Sequence, residues 1–193
     1  KITRIGGESS VIDDRRRLSR DAVTCTNEEL VEAARAGDAG QMEQMLSRIG
    51  DPTVLNRGDF DFAPLHWAQE TSVECVRLLL RARANPDETD SHGWTSLHWA
   101  VEHRDNGSVV ALLEGGANPD LVDSIGKTAL HYAVGYPASV KALVEAGADL
   151  SVADGAGRTA MDIATAARCA MSLEYLRSGD GPLVKAARCG LEQ

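Results

Sequence analysis

The chain has 193 residues and a net charge of −9, from 29 acidic and 20 basic side chains. That balance argues against a body that grips nucleic acid or anionic lipid through its overall field, and it favours a basic partner. No apolar run reaches the roughly 18–20 residues of a membrane span and no secretory signal is visible, so membrane insertion is not expected. Four scattered cysteines, Cys25, Cys75, Cys169 and Cys189, form no CxxC pair. They read as reduced thiols of an intracellular protein, cytoplasmic first, rather than as disulfides or a zinc site. The chain opens on Lys1, so upstream sequence removed or omitted, including an organelle presequence, is part of that expectation.

Residues 1–25, KITRIGGESSVIDDRRRLSRDAVTC, show no helical or strand period and carry a charge of +2, leaving −11 for the remainder. Such a segment is expected to be an extended N-terminal arm that orders on binding. Arg16 to Ser19, RRLS, has the basic spacing some protein kinases prefer, which makes Ser19 a candidate phosphorylation site. About two added negative charges there would weaken the basic character of the arm.

Residues 26–57 open with TNEELVEAARAGDAGQMEQMLSRIG, two short amphipathic helices. Thr26 followed by Glu29 is a capping-box pattern. The charged surface of this unit suits the end of an array.

Four segments then align: FAPLHWA (62–68), WTSLHWA (94–100), KTALHYA (127–133) and RTAMDIA (158–164). Equivalent positions His66, His98, His131 and Asp162 are 32, 33 and 31 residues apart. Thr95, Thr128 and Thr159 stand where a hydroxyl caps a helix start. Leu97 with Ala100, and Leu130 with Ala133, mark one apolar helical face. Val109, Val110, Leu112 and Leu113 are expected to form the buried face of the second helix, and Gly116 its left-handed stop. Neither helix buries its stripe alone, so the units must stack.

A period near 33 with this wording resembles the ankyrin repeat. The resemblance implies an all-α fold, a solenoid of stacked helix-turn-helix units with short hairpin tips. It assigns 26–57 to an N-terminal capping repeat, 58–90, 91–123 and 124–154 to full repeats, and 155–179 to a divergent one. PLVKAARCG (182–190) echoes ELVEAARAG (29–37), so 180–193 reads either as a further repeat beginning or as one more Ala-rich helix. Three departures stand out. Asp61 and Arg83 replace the glycines expected at a turn and a helix stop, and should be strained or rearranged. GYPAS, in the third repeat, shortens the loop around Pro137.

Catalytic, cofactor and metal sites are all expected to be absent. His66, His98 and His131 lie one per unit, about 10 Å apart in a stack, too far to share a metal. The resemblance implies instead that they satisfy backbone groups across the turn. No nucleotide-binding or hydrolase motif occurs, and GGANPD (115–120) ends a helix rather than opening one.

The resemblance also implies that the hairpin tips project in a row and the first helices line a concave face. It marks as partner-binding Arg57, Asp59, Phe60 and Phe62 in the first repeat, His92 and Trp94 in the second, and Ile125 and Lys127 in the third. Glu102, His103 and Tyr136, at helix ends, extend the surface. Aromatic residues beside charges are the material of binding hot spots; the alternative is that Phe60 and Phe62 fold inward. Trp67, Trp99 and Tyr132 follow the repeat histidines and suit either packing between helices or a ladder on the concave wall. The function expected is a non-enzymatic interaction module or scaffold for a partner polypeptide with basic and apolar groups. The alternatives are a regulatory or anchoring segment of a larger chain, and a peripheral subunit of a large assembly.

Overall fold

The structure is a computed structural model that describes residues 27–49, 55–56 and 62–178. Ser19, Cys25, Thr26, Arg57, Asp59, Phe60, Asp61, Cys189 and the segment at Pro182 lie outside the described residues.

Ten helices pair along the chain: α1 (Asn27–Ala36) with α2 (Ala39–Leu46), α3 (Pro64–Thr71) with α4 (Val73–Arg81), α5 (Ser96–Glu102) with α6 (Asn106–Glu114), α7 (Ala129–Ala133) with α8 (Pro137–Glu145), and α9 (Ala160–Ala166) with α10 (Ala170–Ser178). The first helices pack in one row and the second helices in another, each against its counterpart in the next pair. Leu65, Leu97 and Leu130 are each 1% exposed, while Ala68, Ala100, Ala133 and Ala164 are fully buried. The alanines let the helices of the inner row approach, and the leucines fill the space between the two rows.

Helix starts follow the threonines. Thr95 Oγ1 accepts from the His98 N–H at 3.4 Å, and Thr159 Oγ1 from the Asp162 N–H at 3.3 Å. At the second helix one expectation is corrected. Ser108, Val109, Ala111 and Leu112 are its buried residues, whereas Val110 and Leu113 are only partly buried. The buried stripe therefore begins with a serine, whose hydroxyl is held by Asp105 at 2.6 Å and so tolerates burial. In the short third unit α7 has five residues and Pro137 opens α8 as its first residue, where a missing N–H costs nothing.

Three of the second helices, α4, α6 and α8, stop in a left-handed residue: Arg83 at φ 70°, and Gly116 and Gly147, both at φ 90°. At each, the following N–H returns to the last turn, as in Ala84 to Leu79 and Ala117 to Leu112, both at 3.0 Å. Arg83 thus holds a conformation that crowds its Cβ, as the departure from glycine suggested. Arg83→Gly should remove strain of about 1–2 kcal/mol, set against a backbone-entropy cost of roughly 0.5–1 kcal/mol. A small net rise in the urea midpoint is expected; a fall would mean the arginine side chain stabilises more than its backbone strains.

Units are also tied together after the second helix. The Asn85 N–H reaches Asn56 Oδ1 at 2.8 Å, Asn118 reaches Asp87 Oδ1 at 2.8 Å, and Asp149 reaches Asp120 Oδ1 at 2.7 Å. The stretch read only as a stop signal is therefore also a rung between neighbours.

Candidate protein-interaction surface

Each tip is a narrow hairpin, pinned by antiparallel bridges Thr89–Thr95, Val122–Thr128 and Ala153–Thr159. A buried aspartate organises it. Asp90 Oδ1 accepts from the N–H groups of His92 at 2.8 Å and Trp94 at 2.9 Å, and its Oδ2 from Trp99 Nε1 at 3.0 Å. Asp123 repeats this with Ile125 and Lys127, both at 2.9 Å, and with the Tyr132 hydroxyl at 2.6 Å. Asp154 holds Ala156 and Arg158, both at 2.9 Å, but Ile163 offers no donor, and the Arg158 guanidinium takes the second oxygen at 2.8 Å. That guanidinium holds the Asp154 carboxyl down to about 2. Burial pushes Asp123 up, yet the donors from Tyr132, Lys127 and Ile125 outweigh it and leave the carboxyl below its ordinary range. Burial, then the Asp123 bond, raise the Tyr132 phenol.

These aspartates were missed by sequence reasoning. The signal was present as Asp nine residues before Trp or Tyr, repeated at the unit period. Counting back nine from Trp67 gives Gly58, and Trp67 Nε1 is buried without a hydrogen-bond partner among the described residues.

The repeat histidines link units. His98 Nδ1 accepts the Thr95 N–H at 3.2 Å, which places the proton on Nε2, 3.2 Å from the Lys127 carbonyl of the next tip. His66 reaches the Trp94 carbonyl at 3.3 Å and His131 the Arg158 carbonyl at 3.1 Å. Among the described residues no group of three potential metal ligands occurs. Burial lowers His66 and His98 below their ordinary 6.5, against the raising effect of those carbonyls. The unfolded chain therefore takes up protons that the folded chain refuses. The contribution is complete above about 6.5 and is lost on acidification. Melting temperature should fall between about pH 7 and pH 5, a window distinct from that of Asp123 and Asp154, which opens only below the ordinary carboxylate range. A variant with both His66→Gln and His98→Gln should melt lower but with a shallower slope there; a flat parental profile would contradict this account.

The tip and helix aromatics interleave. Phe62 lies 5.3 Å from Trp67 and 5.7 Å from Trp99; Trp94 lies 4.8 Å from Trp99 and 4.9 Å from Tyr132. Lys127 Nζ continues the series, 4.9 Å from the Tyr132 ring. Trp94 is thus half-buried and packed between Trp99 and Tyr132 rather than free at the tip. These packed rings border one open edge.

That edge is a groove of about 400 Å³ lined by Phe62, Trp94, Trp99, Tyr132, His92 and Ile125, with Asp123 and Ser124 at its side. Ile125 is 56% exposed and His92 is exposed. A second recess of about 280 Å³ shares Phe62 and Trp99 with the groove, and adds Trp67, Gln69, Glu70 and His103. Glu102 is exposed at the end of α5; His103 stacks on Trp99 at 5.7 Å. Tyr136 lies under Arg104, 4.8 Å from its guanidinium carbon, and lines neither space.

Helix pairs stacked in two rows, with hairpin tips bonded to one another along one edge, define a helical-repeat binding scaffold. The chain belongs to the ankyrin repeat family: the model for ankyrin repeats (3 copies) matches residues 30–123 and 103–186. It is 38% identical over 68 residues, 35% of its length, to the B-cell lymphoma 3 protein homolog of Mus musculus. It is 34% identical over 84 residues, 43% of its length, to the RelA-associated inhibitor of Mus musculus. Over 57 residues, 29% of its length, it is 40% identical to Palmitoyltransferase AKR1 of Kluyveromyces lactis. The matches span only 15%, 10% and 8% of those three proteins. The family is typically non-enzymatic and serves protein–protein interaction. Among the described residues no helix is long and apolar enough to cross a membrane.

Proposed function

We propose that the chain is a non-enzymatic interaction module that docks a partner polypeptide along its tips and inner helix row. The observation that carries the reading is the apolar groove beneath the second and third tips, where Ile125 stands exposed beside a packed aromatic floor. The floor is fixed by its own contacts, so a partner meets a pre-organised surface and little entropy is lost in ordering it. The acidic balance of the chain favours a partner with basic as well as apolar groups. One relative is named for its association with RelA; a protein partner of that general kind suits this chain. Free Cys75 and Cys169 suit a reducing, intracellular setting. Because the matched relatives are much longer, the second reading is a regulatory or anchoring segment of a larger chain.

A photo-crosslinking residue placed at Ile125, with Lys141 on the outer row as control, tests the surface. Partner polypeptides should crosslink from position 125 and not from 141. Equal yields from both would remove the groove as the docking site.

A further inference from the structure

The recess next to the groove contains a polar atom that the fold does not satisfy. Gln69 is 1% exposed. Its Nε2 donates to the His66 carbonyl at 3.0 Å, which fixes the orientation of the amide, and its Oε1 has no hydrogen-bond partner among the described residues. A buried acceptor left open is destabilising, so a donor brought by another molecule recovers stability. Beside it on α3, Glu70 is exposed and enters no ion pair among the described residues. Phe62, Trp67 and Trp99 complete the walls.

An open acceptor, an unpaired carboxylate and aromatic walls together suit a cation that donates several hydrogen bonds. The rings of the chain take both kinds of cation, Arg35 on Trp67 at 3.9 Å, Arg104 on Tyr136 at 4.8 Å and Lys127 on Tyr132 at 4.9 Å, so the choice between them rests on the need to serve an acceptor and a carboxylate at once. A guanidinium is planar, lies flat on a ring and offers five donors, whereas an ammonium is a compact, strongly hydrated point. Arg35 is also the nearby like charge, which makes the contribution of Glu70 necessary.

We propose that this recess is the subsite for an arginine side chain of the partner, and that the adjoining groove takes an aliphatic side chain from a neighbouring position. The inference rests on the docking reading above and adds to it the identity and order of the two contacts. In an extended segment, residues i and i+2 point the same way and lie about 6.6–7 Å apart. The two subsites share the walls Phe62 and Trp99, so side chains at i and i+2 are the pair to test.

The probe is a short synthetic Gly/Ser peptide carrying Leu-Gly-Arg. It is compared with a peptide in which citrulline replaces the arginine, and with one in which serine replaces the leucine. Binding is followed by tryptophan fluorescence and by the indole N–H resonances. Citrulline keeps the shape and loses the charge, and should weaken binding about tenfold, equivalent to 1.4 kcal/mol. Glu70→Gln should weaken the arginine peptide by a similar factor and leave the citrulline peptide unchanged; helical circular dichroism confirms that the variant is folded. Equal binding of the arginine and citrulline peptides, or no effect of Glu70→Gln, overturns the arginine subsite. If the serine peptide and Ile125→Asp still weaken binding in that event, the docking reading survives alone. If no peptide perturbs the indoles at millimolar concentration, the arginine subsite is overturned, while crosslinking from position 125 decides the docking reading separately.

Discussion

Leu97→Ala is expected to lower stability by about 2–5 kcal/mol, the range for a buried leucine truncated to leave a cavity. Leu97 is 1% exposed on α5, the middle helix of the inner row, with α3 on one side and α7 on the other. Neither neighbour is free to collapse into the space, because each is also packed against the helix beyond it. The loss should have a signature peculiar to stacked units. Stability here is a sum of unit and neighbour terms, so weakening the middle uncouples the two ends. Urea unfolding followed by circular dichroism should shift to a lower midpoint and broaden. Leu97→Met, which nearly conserves volume, should cost less than about 1.5 kcal/mol. A Leu97→Ala curve that overlays the parent would contradict the stacked core.

The fold was legible because its signals are local and repeated. A threonine cap, a leucine and alanine on one face and a glycine stop each report one unit, and their recurrence makes the architecture follow. The strain at Arg83 could also be read, since backbone conformation is a property of the residue itself, whereas Pro137, expected in the loop, is the first residue of α8. The candidate site was legible only in outline. Phe62, His92, Trp94 and Ile125 were marked by position and do meet in one groove; Lys127 joined the ladder instead, and Tyr136 lies away from it. What the sequence hid was pairing across units. Whether Trp94 faces solvent or slots between Trp99 and Tyr132 depends on the distance to the next tip, a packing quantity. The open Oε1 of Gln69 is equally invisible, because it is defined by the absence of a partner that only coordinates reveal.

Asp123→Ala should rank with the core truncation, at roughly 3 kcal/mol or more, although it removes no apolar volume. The carboxylate holds two tip N–H groups and the Tyr132 hydroxyl, and its residue is 6% exposed. Without it three donors lose their acceptor, each at about 1–3 kcal/mol where no water from the adjoining groove replaces it. Asp123→Asn keeps one oxygen for the two N–H groups and turns an amide toward Tyr132, whose hydroxyl can accept, so it should lose about half as much. Tyr132→Phe should remove only the bond to Oδ2. A double-mutant cycle between Tyr132→Phe and Asp123→Asn should then show a coupling of about 1 kcal/mol or more. The site responds as well as the fold: the tip that Asp123 holds carries Ile125, and the ring it orients forms the groove floor. Asp123→Asn should therefore reduce crosslinking from position 125 even where circular dichroism is unchanged. Additive effects of the two substitutions, with unaltered crosslinking, would show that the aspartate shapes neither the tip nor the groove.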